Sequence, residues 1–89
     1  MEFFMMIEYQ AEQLLESYLH QRVELVSCRH VVWNNGALGC PEPGKCTTMA
    51  LVPGYEILFR CGDEIFSIHT NEHGSHFILA TTPPVHLGR

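Results

Sequence analysis

The sequence predicts an α+β domain, with an N-terminal helix packed on a small antiparallel β-sheet (a meander) and a long Cys/Pro/Gly loop. Three observations carry that prediction. Apolar residues recur with a helical period over residues 7–20. Segments rich in β-branched and aromatic residues follow, separated by turn residues. Between the first two of them, Gly36, Gly39, Pro41, Pro43 and Gly44 crowd one connection, where regular structure cannot persist.

The chain of 89 residues makes one domain, 1–89, with no room for a second core. Residues 1–6 and 81–89, the latter holding Pro83-Pro84, read as flexible termini. Hydrophobic residues are 46% and charged residues 17%, which places the chain among folded domains. The formal net charge is −5, and Arg22, Arg29, Lys45, Arg60 and Arg89 are scattered. Displacing counterions from phosphates needs clustered cations, so nucleic acid is excluded as a partner. An anionic membrane surface is excluded for the same reason. The apolar run at Phe3–Ile7 is too short for a secretory leader or a membrane span, which gives a cytoplasmic expectation.

In the helix, Ile7, Ala11, Leu14, Leu15, Tyr18 and Leu19 share one face. Residues 23–32 read as a strand whose imperfect alternation leaves its buried face open. After the loop, a short strand is expected at Thr47–Val52 and a turn at Pro53-Gly54. Tyr55, Ile57, Phe59 and Cys61 then alternate along a strand that ends in a Gly62-Asp63 hairpin. Glu64–Thr70 returns, Asn71–Gly74 turns again, and His76–Ala80 forms the last strand. One helix covers one sheet face. Leu58, Ile65 and Phe77 are assigned to the other, to be covered by the loop or by a second copy of the chain.

The loop carries the candidate function. Trp33, Leu38, Cys40 and two prolines restrict its path, and Asn35-Gly36, Gly39 and Gly44 suit positive φ, so an ordered Ω-like loop is expected. The pattern Trp33-x4-Leu38-Gly39-Cys40-Pro41-x-Pro43-Gly44, then Pro53-Gly54-Tyr55-x-Ile57, then His69-Thr70, resembles a family of small uncharacterised domains. That family occurs mainly in bacterial proteins, often secreted or lipid-anchored, and the resemblance covers about residues 23–79. Lys45-Cys46-Thr47-Thr48 departs from the aromatic and Thr-Gln that usually follow the Pro-Gly, and the family's cysteine near the last strand is absent. If the loop cysteine pairs with that cysteine elsewhere, the resemblance leaves Cys40 to pair with Cys46 or Cys61, or to stay free. It implies no activity.

The residue chemistry leaves several readings open. Cys28, Cys40, Cys46 and Cys61 permit two disulfides, whereas a missing leader favours reduced thiols. Their spacing is not that of a structural zinc site, so no metal and no cofactor is assigned. Cys40 and His69 can be imagined as a thiol and its base, but no orienting third group is legible and no catalytic residue is assigned. The lone lysine, Lys45, stands on a Pro-Gly shoulder as an inhibitor's loop would present one. Trp33 reads as a cap on the core or as an exposed anchor for a partner.

The expected function is therefore a non-enzymatic binding domain using loop 33–54 to contact a protein partner or a second copy of itself in a homodimer. Trp33, Leu38, Cys40, Pro41, Pro43, Lys45 and Cys46 are its binding residues. A thiol-based redox or metal-binding domain and a protease-inhibitor-like loop protein are the alternatives.

Overall fold

The computed structural model describes residues 3–40 and 49–87, with side chains from residue 6 onward. Helix α1 (Phe3–Leu19) is followed by strands β1 (Glu24–Trp33), β2 (Val52–Cys61), β3 (Glu64–Asn71), β4 (Phe77–Leu79) and β5 (Val85–His86). The strands form one antiparallel sheet in the order β1-β2-β3-β4-β5, so every neighbour in space is also a neighbour in sequence. The domain is thus the helix-on-sheet α+β architecture that the patterns predict.

Helix α1 buries Ile7, Ala11 and Leu15, spaced by four, with Leu14 and Leu19 packed beside them. Tyr18, placed on that face by the pattern, is exposed instead. The helix begins at Phe3 rather than Ile7 and stops where His20 turns left-handed at φ 58°. Glu16 fixes the exit by accepting a hydrogen bond from the Val23 backbone N–H at 2.9 Å.

Against the helix the sheet sets Ile57 and Phe59 of β2, Ile68 of β3, and Phe77 and Leu79 of β4, with Val23 and Leu87 closing the core. The register Phe59↔Phe66, Ile57↔Ile68 and Ile68↔Leu79 holds these side chains in rows on one face. The alternation Tyr55, Ile57, Phe59, Cys61 is therefore the core face, as read.

Several expectations are corrected. Pro53-Gly54 is not a turn but lies inside β2, opposite Val32 and Val31. Thr47–Val52 supplies no separate strand from its described part, since Met49 to Leu51 are irregular and β2 starts at Val52. Phe77 belongs to the helix-side core, because its register partner Thr70 shares a face with Ile68. The tail is not simply extended: Val85 pairs with Leu79, and Leu87 is buried. The imperfect alternation of β1 has a physical source in a register shift between Leu25 and Ser27, which gives Val26 no partner on β2.

A latched loop as the candidate functional site

The site forms on the sheet face away from α1. Cross-strand register puts Arg29 beside Glu56 and Glu56 beside His69. The Arg29 guanidinium meets Glu56 Oε1 at 2.7 Å, and Glu56 Oε2 stands 3.8 Å from His69 Nε2. Arg29 is largely exposed, so this pair orients the carboxylate more than it stabilises the fold.

The loop leaving β1 folds back over the row. Asn35 Oδ1 accepts from the backbone N–H of Ala37 at 3.0 Å and Gly39 at 3.4 Å, and Leu38 N–H donates to the Asn35 carbonyl at 3.2 Å. This side-chain-stabilised turn carries Leu38 and Gly39 through left-handed backbone, at φ 55° and 77°. Positive φ thus falls on Leu38 and Gly39, whereas Gly36 does not adopt it.

Leu38 is buried, and its carbonyl lies 2.7 Å from His69 Nδ1. A carbonyl can only accept, so Nδ1 carries the proton and donates. Cys40 Sγ lies 3.3 Å from the same nitrogen. The Trp33 indole stacks on the imidazole with ring centroids 4.3 Å apart and planes inclined by 18°. Its Nε1–H donates to the Thr70 carbonyl at 3.1 Å.

Two of the motif glycines, Gly39 and Gly54, are required by this packing. A Cβ at Gly39 would approach the Trp33 ring to 3.0 Å. A Cβ at Gly54 would fall 1.9 Å from the Thr70 carbonyl oxygen and 2.9 Å from Trp33 Nε1. Trp33, Leu38, Gly39, Cys40, Gly54, His69 and Thr70, spread over 38 positions of sequence (33 to 70), are one contact set.

Of the sequence-assigned binding residues, Trp33, Leu38 and Cys40 are brought together here, with Leu38 facing inward rather than towards a partner. Pro41, Pro43, Lys45 and Cys46 lie outside the described residues. Trp33 caps the second face and is absent from the helix-side core. Glu56 and Arg29 were not legible as site residues, because only strand register reveals their alignment with His69. Of the apolar residues assigned to the second face, Leu58 is half-buried and Ile65 is exposed, and the contacts of loop 34–40 on that face are with His69 and Trp33.

Cys28, Cys40 and Cys61 are free thiols. Cys28 lies towards the helix, where burial and then the Glu8 carboxylate push it up to about 12. Cys61 also lies on the helix side, so it cannot face His69, and its thiol donates to Gln21 Oε1 at 3.3 Å. Burial pushes the Cys40 thiol up from its ordinary value. Among the described residues, no group of three or more His, Cys, Asp or Glu is arranged to hold a metal ion. Nor is any helix there long and apolar enough to cross a membrane.

The fold and the latched arm define a small α+β domain, a β-meander whose connection leaving β1 is pinned to the sheet over residues 34–40. The chain belongs to a family known as domain of unknown function DUF8738, whose model matches residues 6–79 and so takes in all but the first turn of α1, the loop and β1 to β4. No curated protein and no solved structure matches the chain.

Proposed function

We propose that the domain is a non-enzymatic binding module. It contacts a protein partner at the end of the sheet where loop 33–54 leaves β1 and rejoins β2. The observation that carries this reading is the exposure of three large apolar side chains at that end. Val32 is 53% exposed, Met49 84% and Leu51 70%. Val32 pairs with Pro53, and Trp33 with Val52, so Val32 and Leu51 flank the same strand ends. Apolar side chains grouped beside a pinned loop are a recognition surface rather than a solvated one, since leaving them in water costs free energy that a partner recovers. The latch adds preorganisation: a loop arm already fixed loses little entropy on binding.

The arrangement argues against a thiol enzyme. A base must offer the sulfur a free lone pair, and the His69 nitrogen nearest Cys40 is occupied by the proton donated to Leu38. The inhibitor reading rests on Lys45, which lies outside the described residues.

The test is site-specific photo-crosslinking in the native host. With a photoreactive phenylalanine analogue at position 51, one discrete adduct is expected. The same probe at Asp63, in the exposed hairpin at the opposite end of β2, should give none. An adduct of twice the chain mass would identify the partner as a second copy. Equal or no crosslinking from both positions would overturn the reading.

A further inference from the structure

We propose that the outer edge of β1 pairs with a second copy of the chain, strand to strand about a twofold axis at His30. β1 is the first strand of the sheet, and no described strand lies on its outer side. It runs for ten residues, most of them exposed. Register fixes which of its amides face outward. The Glu72 N–H donates to the Pro53 carbonyl at 2.9 Å, so Pro53 points its backbone at β3. Alternation turns the backbone groups of Gly54, Glu56 and Leu58 towards β1, where their partners are Val31, Arg29 and Ser27. The residues between these, Cys28, His30 and Val32, therefore aim N–H and C=O away from the sheet. No described loop or turn bond reaches those groups.

The devices that keep an edge from pairing are missing where β1 is regular. Natural edges are blunted by proline, lysine, bulges or extreme shortness. The opposite edge of this sheet is β5, only two residues long. On β1 the bulge falls at one end, between Leu25 and Ser27. Residues 27–33 beyond it carry no proline or lysine, and their one arginine, Arg29, is held by Glu56.

Symmetry selects the occupant. The outward residues are spaced by two and centred on His30, so an identical edge, turned antiparallel, matches them throughout. His30 then opposes His30 of the second copy, and Cys28 opposes its Val32 on either side of the axis. Each of these pairs exchanges both backbone hydrogen bonds. The exposed Val32 gains apolar cover from the half-buried Cys28. On the other face Arg29 opposes Val31, which keeps the two arginines out of register with each other. The two sheets become one, with both helices on the same side. Met49 and Leu51 precede β2 and take no part in the pairing, so this edge is separate from the surface proposed above.

Sedimentation velocity of the intact chain across the micromolar range should show conversion from one chain mass to two. His30→Pro removes an N–H that no bond within the sheet uses, a substitution that an edge strand tolerates. It should keep its circular dichroism and weaken dimerisation at least about tenfold, through the loss of both His30 bonds. His30→Ala keeps the N–H, gives up the ring contact with Tyr55, and should dimerise as the wild type does. Under mild oxidation His30→Cys should form a disulfide to its own counterpart, since such a pair sets Cα atoms about 5.5 Å apart. Arg29→Cys, displaced from the axis, should not; peptide mass spectrometry reads both. A chain that stays monomeric overturns the proposal, as does a folded His30→Pro protein that dimerises unchanged. Linkage at position 29 as efficient as at position 30 also overturns it, and that comparison stands even if His30→Pro fails to fold. A monomer that still gives its discrete adduct from position 51 would sink the dimer and leave the other surface standing.

Discussion

Gly54→Ala will cost the domain about 3 kcal/mol or more, the upper end of what overpacking a filled interior costs. The added Cβ would lie 1.9 Å from the Thr70 carbonyl oxygen, which is backbone in the middle of the sheet. It would also press on Trp33 Nε1 at 2.9 Å and Asn71 Cα at 3.0 Å. Relief requires β2 and β3 to part at the Gly54↔Asn71 pair, or the indole to leave its hydrogen bond to Thr70. A domain of this size has total stability of roughly 4–13 kcal/mol, so the loss is a large share of it. Urea unfolding followed by circular dichroism measures the change. Gly62→Ala is the matched control. It meets nothing within 4 Å and suffers only from its φ of 63°, so it should cost about 1–2 kcal/mol. If Gly54→Ala proves no worse than Gly62→Ala, the packing of Trp33 against the β2–β3 ladder is looser than described.

Gly54 also shows why part of this fold was legible and part was not. Pro-Gly is a strong local turn signal, and local preference alone would place a turn there. Tertiary packing overrides it. The glycine is needed because an indole and a neighbouring backbone approach it, while β2 runs straight through. Where the controlling interactions were local, the patterns sufficed. The spacing of Ile7, Ala11 and Leu15, the alternation of Ile57 and Phe59, and the Gly62-Asp63 hairpin each depend on residues a few positions apart. The bulge in β1 defeated the period-two reading, since one extra residue exchanges the two faces.

The candidate site divides in the same way. Trp33, Leu38 and Cys40 stand out by composition within one loop. His69 and Thr70 were visible as part of a spaced motif, but their contact with the loop depends on how β3 aligns with β2. Glu56 and Arg29 look like ordinary charges on alternating strands. They join the site through two successive registers, Arg29↔Glu56 and Glu56↔His69, which no single segment encodes.

His69→Ala will release the loop arm while leaving the helix and its core in place. The imidazole makes four contacts at once: its Nδ1–H donates to Leu38, its face meets Trp33, Cys40 Sγ lies beside Nδ1, and Nε2 faces Glu56. Losing the donor leaves a carbonyl unsatisfied at a cost of about 1–3 kcal/mol, and the ring stack contributes about 0.5–1.5 kcal/mol. These terms share one side chain and do not simply add, so a local loss of about 2 kcal/mol is expected. Hydrogen exchange is the appropriate readout because it resolves the opening of one segment from global unfolding. Protection of the Leu38, Gly39 and Cys40 amides should fall by roughly 30-fold, since 1.4 kcal/mol is a factor of ten. Core amides at Ile57 and Ile68 should change less, because their side chains face α1. A uniform loss across sheet and loop would mean that His69 supports the whole fold and that the loop is not a separately latched unit. If the loop is released and crosslinking from position 51 persists unchanged, recognition does not depend on the fixed arm. The exposed Met49 and Leu51 would then act as a flexible apolar contact, and the entropic advantage assigned to the latch would be lost.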